Sequence, residues 1–145
     1  DGASRVIYHA HCPNIITLST LIEPDPRTWT RILWKSMTEC VIIFPQRRTC
    51  ALDGAWRCEI ARATADLMDR YDALVWTQHG MFVSGDTFDA AFGMMHTIEK
   101  SAGLYLAARA ANGGAEPGYL ISDAQLLQVC RDFNVKPNLA FLDEK

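Results

Sequence analysis

Residues 73–85 read "ALVWTQHGMFVSG". The first apolar run, "ALVWTQ" at 73–78, has the length and the branched and aromatic residues of a buried strand. "GMFVSG" at 80–85 reads as another strand, with glycines marking its ends. His79 stands between the two runs. Downstream, Asp86 or Thr87 can cap a long helix whose buried stripe is expected at Phe88, Phe92, Met95 and Ala102. "NGG" at 112–114 ends that helix, because glycine tolerates the left-handed cap conformation. Ser122 caps a final helix, "DAQLLQVCRDF", followed by a tail expected to be loose.

Upstream, Ile60, Ala63, Leu67 and Tyr71 recur at three- and four-residue steps, which predicts an amphipathic helix over 59–71. "ECVIIFP" is short, apolar and β-branched and stops at Pro45, so it reads as a buried strand. "PRTWTRILWKS" and "PNIITLSTLI" carry helical spacing, the second opening on Pro13, which suits the first turn of a helix. Ser4 to His11 is a β-rich run that reads as a strand. Helices and short strands thus interleave within one domain, residues 1–145, which places the fold in the α/β or α+β class. The chain shows neither internal repeats nor low-complexity tracts.

The chain has 145 residues, 49% hydrophobic and 21% charged, the profile of a globular protein with its own core. A net charge of −3 provides no general basic field, so no nucleic-acid partner is expected. A membrane helix needs roughly 20 consecutive apolar residues, and the sequence has no such run. The five cysteines, Cys12, Cys40, Cys50, Cys58 and Cys130, are scattered and form no Cys-x-x-Cys pair. That pattern argues against a disulfide scaffold or zinc knuckle and fits a reducing cytoplasm.

The chemistry-bearing residues are histidines. In "YHAHCPN" (8–14), His9 and His11 are two apart; on a strand they leave the same face, about 7 Å apart at Cβ. Two such imidazoles can converge on one ion, or they can be polar residues at an ordinary strand end. His79, at another strand end, could supply a third ligand, and catalytic zinc commonly keeps three protein ligands and one open position. His96 falls four residues after Phe92 and reads as a packed helix histidine. Glu39, at the start of "ECVIIFP", reads as a solvated strand end or as a catalytic carboxylate. Cys12 reads as a small buried filler.

Four segments, "YHAHCPNIITLS", "RILWKSMTECVIIFP", "EIARATADLMDRYDALVWTQHGMFVSG" and "TFDAAFGMMHTIEKSA", together resemble the C-terminal half of the class II (zinc-dependent) aldolase family. The likeness runs from about Val6 to Leu106. It implies a three-layer fold, a β-sheet with helices packed on it, incomplete here at its N-terminal side. By position, His9, His11 and His79 fall on the family's three Zn2+ ligands, and Glu39 falls on a glutamate near the active site. The implied reaction is reversible retro-aldol cleavage of a small-molecule sugar phosphate. "WKSMTEC" and "HTIEKSA" favour rhamnulose 1-phosphate, cleaved to dihydroxyacetone phosphate and lactaldehyde. Alternatives are another sugar-phosphate aldolase or epimerase of the family, or an inactive zinc-binding remnant. The family also implies a homotetramer for the full-length protein.

Two departures qualify the resemblance. The family's glycine-rich phosphate loops and its main acid/base glutamate lie upstream of the zinc histidines, so this chain resembles half an enzyme and little cleavage is expected of it alone. Between "IIFP" and "EIARAT" the family typically reads like "DGVGxxPWMVPGG", whereas this chain reads "QRRTCALDGAWRC". Read one base later, "LDGAWR" can encode "WMVPGG". Leu52 as CTG before any Asp codon supplies a tryptophan codon, and Trp56 before a CGN arginine codon supplies a glycine codon. Residues 47–58 are therefore expected to be a local compensated frameshift. Resequencing these codons checks it: codons that cannot yield Trp-Met-Val-Pro when shifted contradict the reading.

Overall fold

The computed structural model describes residues 6–46, 48–52, 58–68 and 70–143. The chain runs β1 (Val6–Ala10), α1 (Pro13–Leu18), α2 (Pro26–Ser36), α3 (Thr38–Ile43), β2 (Arg48–Leu52), α4 (Cys58–Met68), β3 (Tyr71–Trp76), β4 (Gly80–Gly85), α5 (Phe88–Ala111) and α6 (Asp123–Asp132), then a 3-10 turn at Leu139–Phe141. The strands form one mixed sheet in the order β1-β4-β3-β2. β4 pairs antiparallel with both β1 and β3, whereas β2 and β3 run parallel, as a crossover through a helix requires.

Because strand side chains alternate, the register assigns each to a face. Tyr8, Val83 and Ala73 are cross-strand neighbours on one face; His9, Phe82 and Leu74 are neighbours on the other. The first face is the core side, where Ala73, Val75, Met81 and Val83 meet Ile15, Trp29, Leu33, Ile98 and Ala102 of α1, α2 and α5. On the second face α4 lies against β3, and Trp76 Nε1 donates to Thr64 Oγ1 at 2.9 Å. The sheet is thus a middle layer between α4 and the α1/α2/α5 layer, the α/β three-layer arrangement expected.

α2 shows how sequence builds that core. Asp25 accepts from the Thr28 backbone N–H at 2.7 Å, and Pro26 begins the helix, so the start is doubly specified. Its inner face buries Trp29, Thr30, Leu33 and Trp34. Its outer face carries Arg27, Arg31 and Lys35, which fasten later parts of the chain. Arg27 and Arg31 bind the Asp143 carboxylate at 2.5 and 2.6 Å, and Lys35 binds Asp123 at 2.8 Å. Phe141 and Leu142 are buried. The tail expected to be loose is therefore docked as far as residue 143.

Burial would raise the Asp123 carboxyl pKa, but Lys35, the Asp143 N–H and Arg31 outweigh it and hold the value below the ordinary one. A lowered folded-state carboxyl contributes stability above its unfolded pKa of 3.8, lost as pH falls through the lower folded value. Asp123→Asn is therefore expected to flatten the fall in the urea midpoint between about pH 5 and pH 2. An unchanged acid profile would remove Asp123 from that account.

Other expectations change in detail. Residues 38–43 are helix α3, not a strand: Cys40, Val41 and Phe44 are buried at helical spacing, while Glu39 and Ile43 face outward. The strand in this region is β2 instead, within the segment suspected of a frameshift; residues 47 and 53–57 lie outside the described residues. Tyr71 opens β3 and does not close α4. In α5 the buried stripe is Ala91, Met95, Ile98, Ala102 and Tyr105, at alternating steps of four and three. Phe88 and Phe92 are exposed, and so is His96, whose ring stacks on Phe92 with centroids 6.1 Å apart. Thr87 is the N-cap of α5, and Gly113 and Gly114 beyond its end adopt positive φ. Ser122 forms a full capping box with Gln125 at α6.

Candidate metal centre

Three chain segments meet at one end of the sheet. β1 delivers His9 opposite Phe82 of β4. The strand stops at Ala10, so His11 sits one residue beyond it, just before Pro13 opens α1. The β3–β4 turn delivers His79, whose N–H donates to Trp76 O at 3.1 Å. Within that turn Gln78 has φ of 58°, a left-handed conformation uncommon for a residue with a Cβ.

The structure brings His9, His11 and His79 together: one ligand nitrogen from each lies within 4.8 Å of the others. Ring centroids are 5.2 Å apart for His9–His11, 5.4 Å for His9–His79 and 4.8 Å for His11–His79. Nitrogens bound tetrahedrally at 2.0–2.1 Å stand about 3.3 Å apart. Small side-chain rotations would close the triad on one ion. Among the described residues, these three are the group of His, Cys, Asp and Glu that could hold a metal.

The surroundings favour the ligand form of imidazole. His9 Nδ1 lies 3.0 Å from Met81 O. A carbonyl only accepts, so Nδ1 carries the proton and Nε2 keeps its lone pair, the arrangement that orients metal-binding histidines. Burial, followed by repulsion from His11 and His79, lowers the His9 pKa although the bond to Met81 raises it. The neutral, ligating form is thereby favoured. Beneath His9 the Phe82 ring stacks at 4.1 Å, and Trp76 lies 4.6 Å from Phe82. This aromatic floor escaped the sequence reading, although strand alternation turns Phe82 away from Met81 and Val83 and onto the histidine face.

Glu39 is not part of the histidine cluster. It is exposed on the first turn of α3 and accepts from Thr38 Oγ1 at 3.1 Å. Cys12 is buried, and burial, followed by the Glu99 charge, pushes its thiol pKa up to about 11, which keeps it a packing residue.

Residues 3–106, which hold all three histidines, match the family described as the Class II Aldolase and Adducin N-terminal domain. The chain belongs to that family. Two curated relatives are rhamnulose-1-phosphate aldolases. The one from Pectobacterium atrosepticum is 36% identical over 144 residues, covering 94% of this chain and 49% of the relative. The one from Enterococcus faecalis is 33% identical over 153 residues, covering 100% of this chain and 51% of the relative. The chain thus spans about half the length of the curated relatives it matches. Among solved structures, a sugar-phosphate aldolase from Thermotoga maritima superposes with a TM-score of 0.62 at 26% identity, covering 77% of this chain and 47% of that one. L-fuculose-1-phosphate aldolase from Thermus thermophilus gives a TM-score of 0.54 at 22% identity, covering 77% and 56%, a likeness of fold. No helix among the described residues of this class II aldolase-family chain is long and apolar enough to cross a membrane.

Proposed function

We propose that this chain is the metal-binding half of a zinc-dependent aldolase. It would act in rhamnose breakdown, cleaving L-rhamnulose 1-phosphate to dihydroxyacetone phosphate and L-lactaldehyde. The observation that carries this reading is the convergence of His9, His11 and His79 within 4.8 Å, inside the family match. When bound, a divalent cation supplies Lewis-acid stabilisation of the charge that develops on the substrate's oxygens as its carbon–carbon bond breaks. Three neutral imidazoles suit that task, because they leave the ion's full positive charge in place.

The chain's own contribution is placement. β1 and the β3–β4 turn hold the imidazoles, the Met81 carbonyl fixes the His9 tautomer, and Phe82 and Trp76 close the site from below. Glu39 is proposed as an auxiliary acid/base carboxylate, with the principal one supplied by the rest of a full-length homotetramer in the cytoplasm. Glu39→Gln is then expected to lower kcat about tenfold or more at unchanged metal content, as measured by steady-state assay.

The test is a coupled assay on the intact protein, following dihydroxyacetone phosphate from L-rhamnulose 1-phosphate and L-fuculose 1-phosphate. Cleavage of the first in preference to the second, abolished by a chelator and restored by Zn2+, is the expected result. Preference for the second would move the substrate assignment, and chelator-insensitive cleavage would remove the metal from the chemistry.

A further inference from the structure

Two of the three histidines are joined by more than the sheet. α1 begins two residues after His11, and its other end reaches the turn that carries His79. Each end is fastened by one polar side chain.

At the first end, the thiol of Cys12 at the N-cap makes no capping bond, and Pro13 has no N–H. The first free donors are therefore the N–H groups of Asn14 and Ile15. Both go to Glu99 of α5: Oε1 accepts from Asn14 at 2.8 Å and Oε2 from Ile15 at 3.0 Å. The contact is close-fitting one turn further along, since a Cβ on Gly103 would stand 2.9 Å from the Asn14 side chain. At the second end, Ser19 Oγ donates to Ile16 O at 2.7 Å and accepts from the Gln78 N–H at 2.8 Å. That bond holds the left-handed residue directly before His79.

We infer that α1 is a strut that sets the spacing of His11 and His79, with Glu99 and Ser19 as the positioning residues at its two ends. The inference rests on the metal reading of the histidine triad. A six-residue helix is about 9 Å long and resists bending, so fixing both ends fixes the distance between the segments attached to them. The two fastenings differ in kind. A carboxylate takes both N–H groups of the first turn, whereas glutamine in its place accepts from one and turns an N–H toward the other. The serine hydroxyl ties α1 to a turn that is conformationally disfavoured without support.

The experiment measures Zn2+ affinity by chelator competition, and the visible absorption of the Co2+-substituted site, in the intact protein and its variants. Glu99→Gln is expected to raise the Zn2+ Kd on the order of tenfold, Ser19→Ala severalfold, and both to weaken the Co2+ band. Because a strut released at one end no longer positions either ligand, the double variant should be little weaker than Glu99→Gln. Ser101→Ala, which removes a buried bond to Leu33 O elsewhere on α5, should lower the melting temperature and leave Kd unchanged. If Glu99→Gln behaves as Ser101→Ala does, or the single effects multiply in the double variant, the strut is overturned; if Glu99→Gln does not fold, Ser19→Ala alone decides. His79→Ala separates the failures: a parent that binds no Zn2+, or a variant that binds it as tightly, overturns the metal reading and the strut with it.

Discussion

Replacing His79 by alanine is expected to strip the site of its metal. Four-ligand structural zinc sites bind with about 10–16 kcal/mol, roughly 2.5–4 kcal/mol for each ligand. Losing one of three imidazoles should therefore weaken binding roughly a hundred- to thousandfold. The remaining pair, His9 and His11, cannot enclose an ion by itself. Metal content after dialysis measures the effect: the parent should retain close to one ion per chain and the variant a small fraction. His96→Ala is the matched control, because that histidine is exposed on α5, outside the triad, and should retain the parent's metal. Unchanged stoichiometry in His79→Ala would remove His79 from the site.

The second large effect is expected at Gly80, directly after His79. A Cβ there would stand 2.5 Å from the Ala10 carbonyl oxygen and 3.1 Å from His9 Cε1. The first contact is with backbone of the neighbouring strand, which cannot rotate away. Gly80→Ala must therefore pry β4 from β1 at the place where both histidine-bearing segments meet. The expected cost is about 2–4 kcal/mol in urea unfolding, with a parallel loss of Zn2+ affinity. Gly93→Ala is the contrast: a Cβ there meets nothing within 4 Å, and alanine inside a helix should stabilise by about 0.5–1 kcal/mol. A Gly80→Ala protein that unfolds at the parent's midpoint would contradict the close approach.

Much of this was legible from local chemistry. α2 and β4 fall at their expected bounds because their signals are local: Asp25 and Pro26 start the helix, and Gly80 and Gly85 bracket the strand. Thr87, the "NGG" stop and the Ser122 box were likewise readable as caps. Residues 38–43 were not. The short apolar run from Cys40 to Phe44 is compatible with strand or helix, and its burial against α5 and α6 decides between them. In α5 the expected Met95 and Ala102 are buried, whereas Phe88 and Phe92 are exposed and the first buried position is the smaller Ala91, which packs against Gly85 of β4. The docking of the tail depends on Arg27 and Arg31 reaching Asp143 across more than a hundred residues of chain.

The same division runs through the site. The convergence of His9, His11 and His79 was legible because each stands at or just past a strand end. Their supports could not, since Glu99 reaches Asn14 across 85 positions and Ser19 reaches Gln78 across 59. Such contacts exist only once α5, α1 and the β3–β4 turn are packed. Glu39, expected at the start of a strand, lies instead on the exposed first turn of helix α3.

The central claim is that one ion is held by three histidines gathered at one end of this sheet. An anomalous difference map recorded at the zinc absorption edge, on crystals of the intact protein grown with Zn2+, tests it most directly. The account predicts a single strong peak about 2.0–2.1 Å from a nitrogen of each of His9, His11 and His79, with Nε2 as the His9 ligand. A peak elsewhere, ligands that include a cysteine sulfur at about 2.3 Å, or no peak among these histidines would contradict it.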